Sequence, residues 1–211
     1  VLGQRQDAED AFQATFLVLA RQAGSIRSSD SVASWLFKVA HRTAIRTARD
    51  SKKRAERPLA EDVEIPSEEL AQLQQRETFE LLAAELNRLP ENYRAPLILF
   101  YLEGKSRQAT ADELDVSDAA LKARLARGRK LLRRRLMRRG VALSLTMAAV
   151  TTASQSSEAT ILGVLIEQTT AAGLSYAATG TASAACSAQI VSLAKGVQPM
   201  LTTTLTKSAL A

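Results

Sequence analysis

Cations dominate the side chains of this sequence that could do chemistry. Residues 117–140, SDAALKARLARGRKLLRRRLMRRG, hold ten Lys and Arg against one acid, Asp118. A second set, Lys38, Arg42, Arg46 and Arg49, recurs every three or four residues, with Lys52, Lys53 and Arg54 just beyond. At that spacing the set makes one basic stripe along a helix. Trp35 and Phe37 lie beside it. Cations next to aromatic rings suit single-stranded nucleic acid, whose bases stack on rings while charge holds the backbone. Trp35 equally reads as a core anchor, and the two roles are compatible. A third constellation, DAEDAFQATFL, puts Asp7, Asp10 and Gln13 on one helix with Phe12, Phe16 and Leu17. Acids in a first turn suit the positive end of the helix dipole. The face they share reads either as capping and surface or as a protein-docking face. Acid–base work would need a pocket and a partner for these acids, and metal binding would need more oxygen ligands.

The bulk composition narrows the choice. The first 140 residues carry the whole net charge of +6, and residues 141–211 are neutral. A basic domain of this kind suggests a polyanionic partner. Cys186 and His41 are the sole residues of their kinds. That excludes a disulfide framework within the chain and cysteine-rich zinc sites, and leaves histidine-based metal sites and Ser-His-Asp arrangements unsupported. The expectation is a non-enzymatic protein without cofactor or metal, located in the cytoplasm. The start, VLGQRQDAED, lacks the pattern of a signal peptide, and no run is long and apolar enough to span a bilayer clearly. The chain begins at Val1 rather than Met, which suggests a fragment.

Apolar periodicity predicts an all-α fold. Residues 7–23 read as a helix, GSIRSSDS as turn chemistry, and Val32 to Arg49 as a second helix. The stretch DSKKRAERPLAEDVEIPSEEL contains two prolines and opposed charge clusters, and reads as an exposed linker. A third helix is expected from Ser67 to about Leu86, and a short one carrying Leu97 to Leu102 with a stop at Gly104. Two further helices follow, capped by Ser106 and Ser117 and separated by a tight turn that contains Val116. The second carries Leu121, Leu125, Leu132 and Leu136 on one face. This is the pattern of a helix-turn-helix, whose second helix enters the major groove by its N-terminal residues. Its candidate base-facing residues are Ser117, Asp118, Ala119 and Lys122, with Ala120 at the margin. Arg124, Arg127, Arg129 and Lys130 lie further on, where phosphates are the partners. Two details fit poorly: Asp115 stands where Gly is usual, and Thr110 where an apolar residue would pack. An amphipathic helical hairpin without DNA binding would show the same apolar pattern. Residues 141–211 are rich in Ala, Thr and Ser. They promise helical pieces at about 158–170 and 187–196 but little compact core.

DAEDAFQATFLVLA, the Ser/Gly-rich loop and SWLFKVAHRTAIRTAR together resemble the second conserved domain of bacterial RNA polymerase sigma factors of the extracytoplasmic-function (ECF) group. LNRLPENYRAPLILFYLEGKSRQATADELDVSDAALKARLARGRKLLRRRL resembles that group's C-terminal helix-turn-helix domain. The likeness covers about residues 1–138. It implies two small helical domains joined by a linker: 1–50, a partial domain 2; 51–70, the linker; 71–140, a domain 4-like unit. Residues 141–211 would then be a C-terminal extension. It further implies core RNA polymerase and promoter DNA as partners, and an anti-sigma factor as a candidate third. Asp7, Asp10, Gln13, Phe16 and Leu17 would dock on the polymerase. Trp35, Lys38, Arg42, Arg46 and Arg49 would serve the −10 element, although Arg42 stands where many relatives carry Asn. Ser117, Asp118, Ala119, Lys122, Arg124 and Arg127 would serve the −35 element. The N-terminal helices usual for domain 2 are absent. The helix from Trp35 and the tail also resemble the planctomycete branch, whose extensions can lead to a membrane segment, so membrane contact through the tail stays open. Two other readings stand beside this one: a helix-turn-helix regulator that binds DNA without polymerase, and a basic membrane-surface or scaffold protein.

Overall fold

The computed structural model describes residues 2–26, 31–54, 67–141, 159–179 and 187–207. All regular structure among these residues is helical. The helices are α1 (Arg5–Gln22), α2 (Val32–Arg54), α3 (Ser67–Asn87), α4 (Glu91–Leu97), α5 (Arg107–Glu113), α6 (Asp118–Met137), α7 (Ala159–Thr179) and α8 (Ala188–Lys207). α2 runs five residues beyond the expected end at Arg49. Lys52, Lys53 and Arg54 are good helix formers and complement the negative end of the helix dipole. The central part of the expected linker, 55–66, and loop residues 27–30 lie outside the described residues.

The chain forms two compact units. One comprises, among the described residues, 31–35 and 67–141, and its core is built from α3, α4 and α6. Leu82, Ala83, Leu86 and Leu89 are buried, as are Ala95, Leu97, Ile98 and Leu99, and α6, with its buried leucine face, packs on both α3 and α4. Gly128 marks a close approach of α6 to α4. A Cβ there would lie 3.1 Å from Leu97 Cδ1 and 3.4 Å from Tyr93 Cβ. The expected short helix through Leu102 is α4 continued by a wider π-type stretch over Ile98–Leu102. The Glu103 N–H donates to the Ile98 carbonyl at 3.0 Å, and the Lys105 N–H to Leu99 at 3.1 Å. A wider turn brings consecutive residues closer to one face, and Leu97, Ile98 and Leu99 are all buried. Gly104 then ends the run at φ +65°, as its position in the sequence predicts.

Arg94, buried on α4, holds this unit together at its polar centre. Its Nη1 donates to the carbonyls of Asn87 and Leu89 at 3.2 and 3.3 Å, and its Nη2 to Glu91. Its Nε donates to Ser34 Oγ at 3.0 Å, in the first turn of α2, which belongs to the same unit. A buried guanidinium persists only when its donors are matched in this way.

The other unit comprises, among the described residues, 2–26, 36–54, 159–179 and 187–207. Here α7 and α8 pack along α1. Thr169, Ala172, Gly173 and Tyr176 form the buried face of α7, and Ile190, Leu193, Ala194 and Val197 that of α8. Both sets repeat as i, i+3, i+4, i+7, the spacing of one helical face. The tail thus forms longer helices than expected and contributes to a core. Its side chains are small, but close approach compensates, as at Gly173, where a Cβ would lie 3.8 Å from that of Ala20.

The Gly128 contact generates a stability test. Gly128→Val is expected to destabilise the chain by about 1–3 kcal/mol in urea unfolding, since a branched side chain overpacks the α4–α6 seam. Gly128→Ala should cost less, because the gain in helix propensity of about 1 kcal/mol offsets the tighter fit. A Val variant as stable as the parent would refute the close approach.

Candidate nucleic-acid interface

The helix-turn-helix is fixed by hydrogen bonds at each of its corners. Ser106 caps α5, its Oγ accepting the Ala109 N–H at 3.2 Å. Ser117 caps α6 in the same manner, accepting from Ala120 at 3.2 Å. Between them α5 closes with the Val116 N–H donating to Ala111 O at 3.0 Å and the Asp115 N–H to Asp112 O at 3.2 Å. This pair of bonds is a Schellman closure, which needs a left-handed residue at its corner. Asp115 takes that place at φ 48°, the one non-glycine residue with positive φ among those described. The poor fit of Asp115 seen in the sequence is therefore real strain accepted by the turn. Thr110 has the opposite outcome. Its hydroxyl donates to the Ser106 carbonyl at 2.9 Å, and the residue is fully buried. With its polar atom satisfied locally, the side chain packs as a small β-branched residue.

Leu121, Leu125, Gly128, Leu132 and Leu136 form the buried face of α6. Ser117, Asp118, Ala119, Lys122 and Arg127 are exposed, and Arg124 is half-buried on the flank. Ala119, Ala123 and Ala126 share the outer side with Lys122, so the start of α6 presents short side chains and one long cation. Short outward residues let a helix axis come near a groove floor. Asp118 is engaged by Arg107 of α5, whose Nε lies 2.6 Å from its carboxylate. Sequence reasoning missed Arg107, because the pairing joins two helices across the turn.

The far half of the basic run is divided in use. Glu85 of α3 is buried, yet faces Arg88 at 2.6 Å, Arg139 at 3.5 Å and Arg135 at 3.9 Å. Arg135 and Arg139 thus compensate a buried carboxylate, where the sequence suggested a phosphate grip along the whole run. Lys130, Arg133, Arg134 and Arg138 surround Met137 on the exposed side. Lys105, bonded to Glu113 and, at 3.2 Å, to Glu103, has its pKa raised by those carboxylates and ties the loop before α5 to its end.

On α2, Trp35, Lys38, Arg42 and Arg46 are half-buried and Arg49 is exposed. Their spacing keeps them on one flank of the helix, beside the buried face of Val39, Thr43 and Thr47. Burial lowers the Arg42 pKa, but a guanidinium stays protonated at neutral pH. Arg46 Nε lies 3.8 Å from Asp50. On α1, Asp7 is buried and accepts from Ser51 Oγ at 2.6 Å. Asp10 accepts from Gln189 at 3.1 Å. Gln13 and Phe16 are half-buried, Leu17 is buried, and the Phe12 and Phe16 rings meet at 4.8 Å.

Comparison with known proteins places two family matches on these two regions. The family described as Sigma-70 region 2 matches residues 1–54, and Sigma-70, region 4 matches 79–132. The chain is 33% identical over 145 residues to the ECF RNA polymerase sigma factor SigM of Bacillus subtilis (strain 168), covering 64% of this chain and 82% of that protein. The chain belongs to the ECF sigma factors. The factor named SigM of Mycobacterium tuberculosis (strain H37Rv) is 35% identical over 131 residues, 62% of this chain, and the match spans 65% of that relative's length. The ECF sigma-E factor of Haemophilus influenzae is 28% identical over 144 residues, 63% of this chain and 76% of that protein. No solved structure matches significantly. Among the described residues no helix is long and apolar enough to cross a membrane, and no three His, Cys, Asp or Glu side chains gather as a metal site.

The strained corner gives the test of this ECF turn. Asp115→Gly should raise stability by about 1 kcal/mol, because glycine adopts the left-handed region without the Cβ clash. Thermal unfolding measures it, and a lower melting temperature would show that the aspartate side chain holds the turn.

Proposed function

We propose that this ECF chain binds core RNA polymerase and directs promoter-specific initiation of transcription, without catalysing a reaction itself, in the cytoplasm. The observation that carries the reading is the capped helix-turn-helix, with its outward N-terminal face on α6, in a chain that matches both sigma regions in order. The printed names of its relatives describe RNA polymerase sigma factors, which supports the same activity here.

In this reading residues 1–50 and 71–140 are the two working domains, 51–70 connects them, and 141–211 is an extension. Lys122, Ala119 and the α6 N-terminus read the −35 element in the major groove, where a lysine can reach guanine acceptors. Ser117 orients the helix start, while Arg124 and Arg127 take phosphates on its sides. Asp118, paired with Arg107, sets the charge at the N-terminus. Trp35, Lys38, Arg42, Arg46 and Arg49 hold the −10 region, with the cations on phosphate and Trp35 against a base. Asp7, Asp10, Gln13, Phe16 and Leu17 make the polymerase-docking face of α1.

Transcription in vitro with core polymerase and a promoter library tests the whole. The expected result is initiation at a defined promoter class; a chain that neither joins the polymerase nor starts transcripts would sink the reading. Lys122→Ala should weaken −35 binding by about 1–3 kcal/mol and relax base preference, whereas Arg127→Ala should weaken binding evenly across sequences and reduce its salt dependence. An unchanged preference for Lys122→Ala would reassign that residue to phosphate.

A further inference from the structure

We propose that the tail helices α7 and α8 act as a built-in competitor of RNA polymerase, occupying the docking face of α1 within the same chain. The proposal rests on the polymerase-docking reading of α1 given above.

Asp10, Ala14, Leu17 and Arg21 recur at three- and four-residue intervals, so they form one stripe along α1. The tail meets that stripe from end to end. At its start, Gln189 of α8 donates to the Asp10 carboxylate at 3.1 Å. At its end, the Arg21 guanidinium lies 5.3 Å from the ring centre of Tyr176 on α7, within the range of a cation–π contact. Next to it Ala20 packs against Gly173. Leu17, between these contacts, is 1% exposed. A polymerase surface that needs Asp10 and Leu17 meets them only after the tail has left.

The tail also engages α2. A Cβ added at Gly196 of α8 would coincide with the guanidinium of Arg46. Glycine at this position therefore gives space to a cation that the −10 reading assigns to DNA. One pair of helices thus takes up a docking carboxylate and a DNA-binding arginine together. The contact mixes small and large residues. The buried face of α7 is Thr, Ala and Gly apart from Tyr176, so the apolar area exposed when the pair lifts comes mainly from Tyr176 and from Ile190, Leu193 and Val197 of α8. Its polar links to the α1 stripe, Gln189–Asp10 and Arg21–Tyr176, involve exposed Gln189 and Arg21 side chains, which water can replace. The outer side of α7 keeps Ile166 and Leu174 exposed, so packing on α1 leaves part of its apolar surface unsatisfied.

A reversible crosslink tests this in the full chain. The 3.8 Å between the Ala20 Cβ and a Cβ at position 173 equals the usual spacing across a disulfide. The chain carrying Ala20→Cys, Gly173→Cys and Cys186→Ser is oxidised, and its affinity for core polymerase is measured before and after dithiothreitol, with helical content followed by circular dichroism. The expected result is ready crosslinking, equal helicity in both states, and binding at least about tenfold tighter after reduction. If the oxidised chain binds polymerase as well as the reduced one, the tail is a permanent part of the domain and the competition is refuted while the docking reading stands. If the cysteines do not pair, or if pairing lowers the helicity, the packing itself is refuted. If neither state nor the parent chain binds polymerase, the docking reading fails, and the proposal fails with it.

Discussion

The seating of α6 on α4 is the constraint on which the helix-turn-helix unit depends. A helix carrying eight cations within 20 residues has no intrinsic front or back. The burial of Leu121, Leu125, Leu132 and Leu136, with Gly128 allowing contact at the centre, gives it both. Once that face is fixed, the helical period decides which cations point outward, and Lys122 follows from Leu121 and Leu125. Arg94 supports the same seating from below by tying the end of α3 to α4. The basic surface is a by-product of an apolar fit.

Local chemistry sets the turn in front of α6 with equal economy. Two serine caps and one Schellman closure orient α5 and α6, and the Arg107–Asp118 pair joins them across the turn. Asp115 bears the strain of that arrangement, and its backbone is held by the two bonds that define the corner. Strain of this kind persists where surrounding structure over-determines it.

The all-α character, the caps at Ser106 and Ser117, the leucine face and the Gly104 stop were legible in the sequence, because each is set by neighbours within about four residues. Asp115 and Thr110 were visible as anomalies, although their resolution required the backbone. Contacts across long separations were not legible. Nothing near Glu85 announces Arg135 or Arg139, and nothing near Arg107 announces Asp118. The packing of the tail is hidden in the sequence for a related reason. Small residues do promise little buried area each, but that counts side chains one at a time and omits how closely glycine and alanine let two helices approach.

Glu85 changes what the charge of the basic run means. Salt sensitivity of DNA binding follows the number of phosphates neutralised, since each contact sheds condensed counterions, with a slope of roughly 0.9 per phosphate on a double-logarithmic plot. Arg135 and Arg139 already answer to a buried carboxylate, so they enter that number weakly or not at all. The folded face therefore offers fewer free cations than the composition of residues 117–140 describes. Nominal charge measures the sequence; counterion stoichiometry measures the folded face.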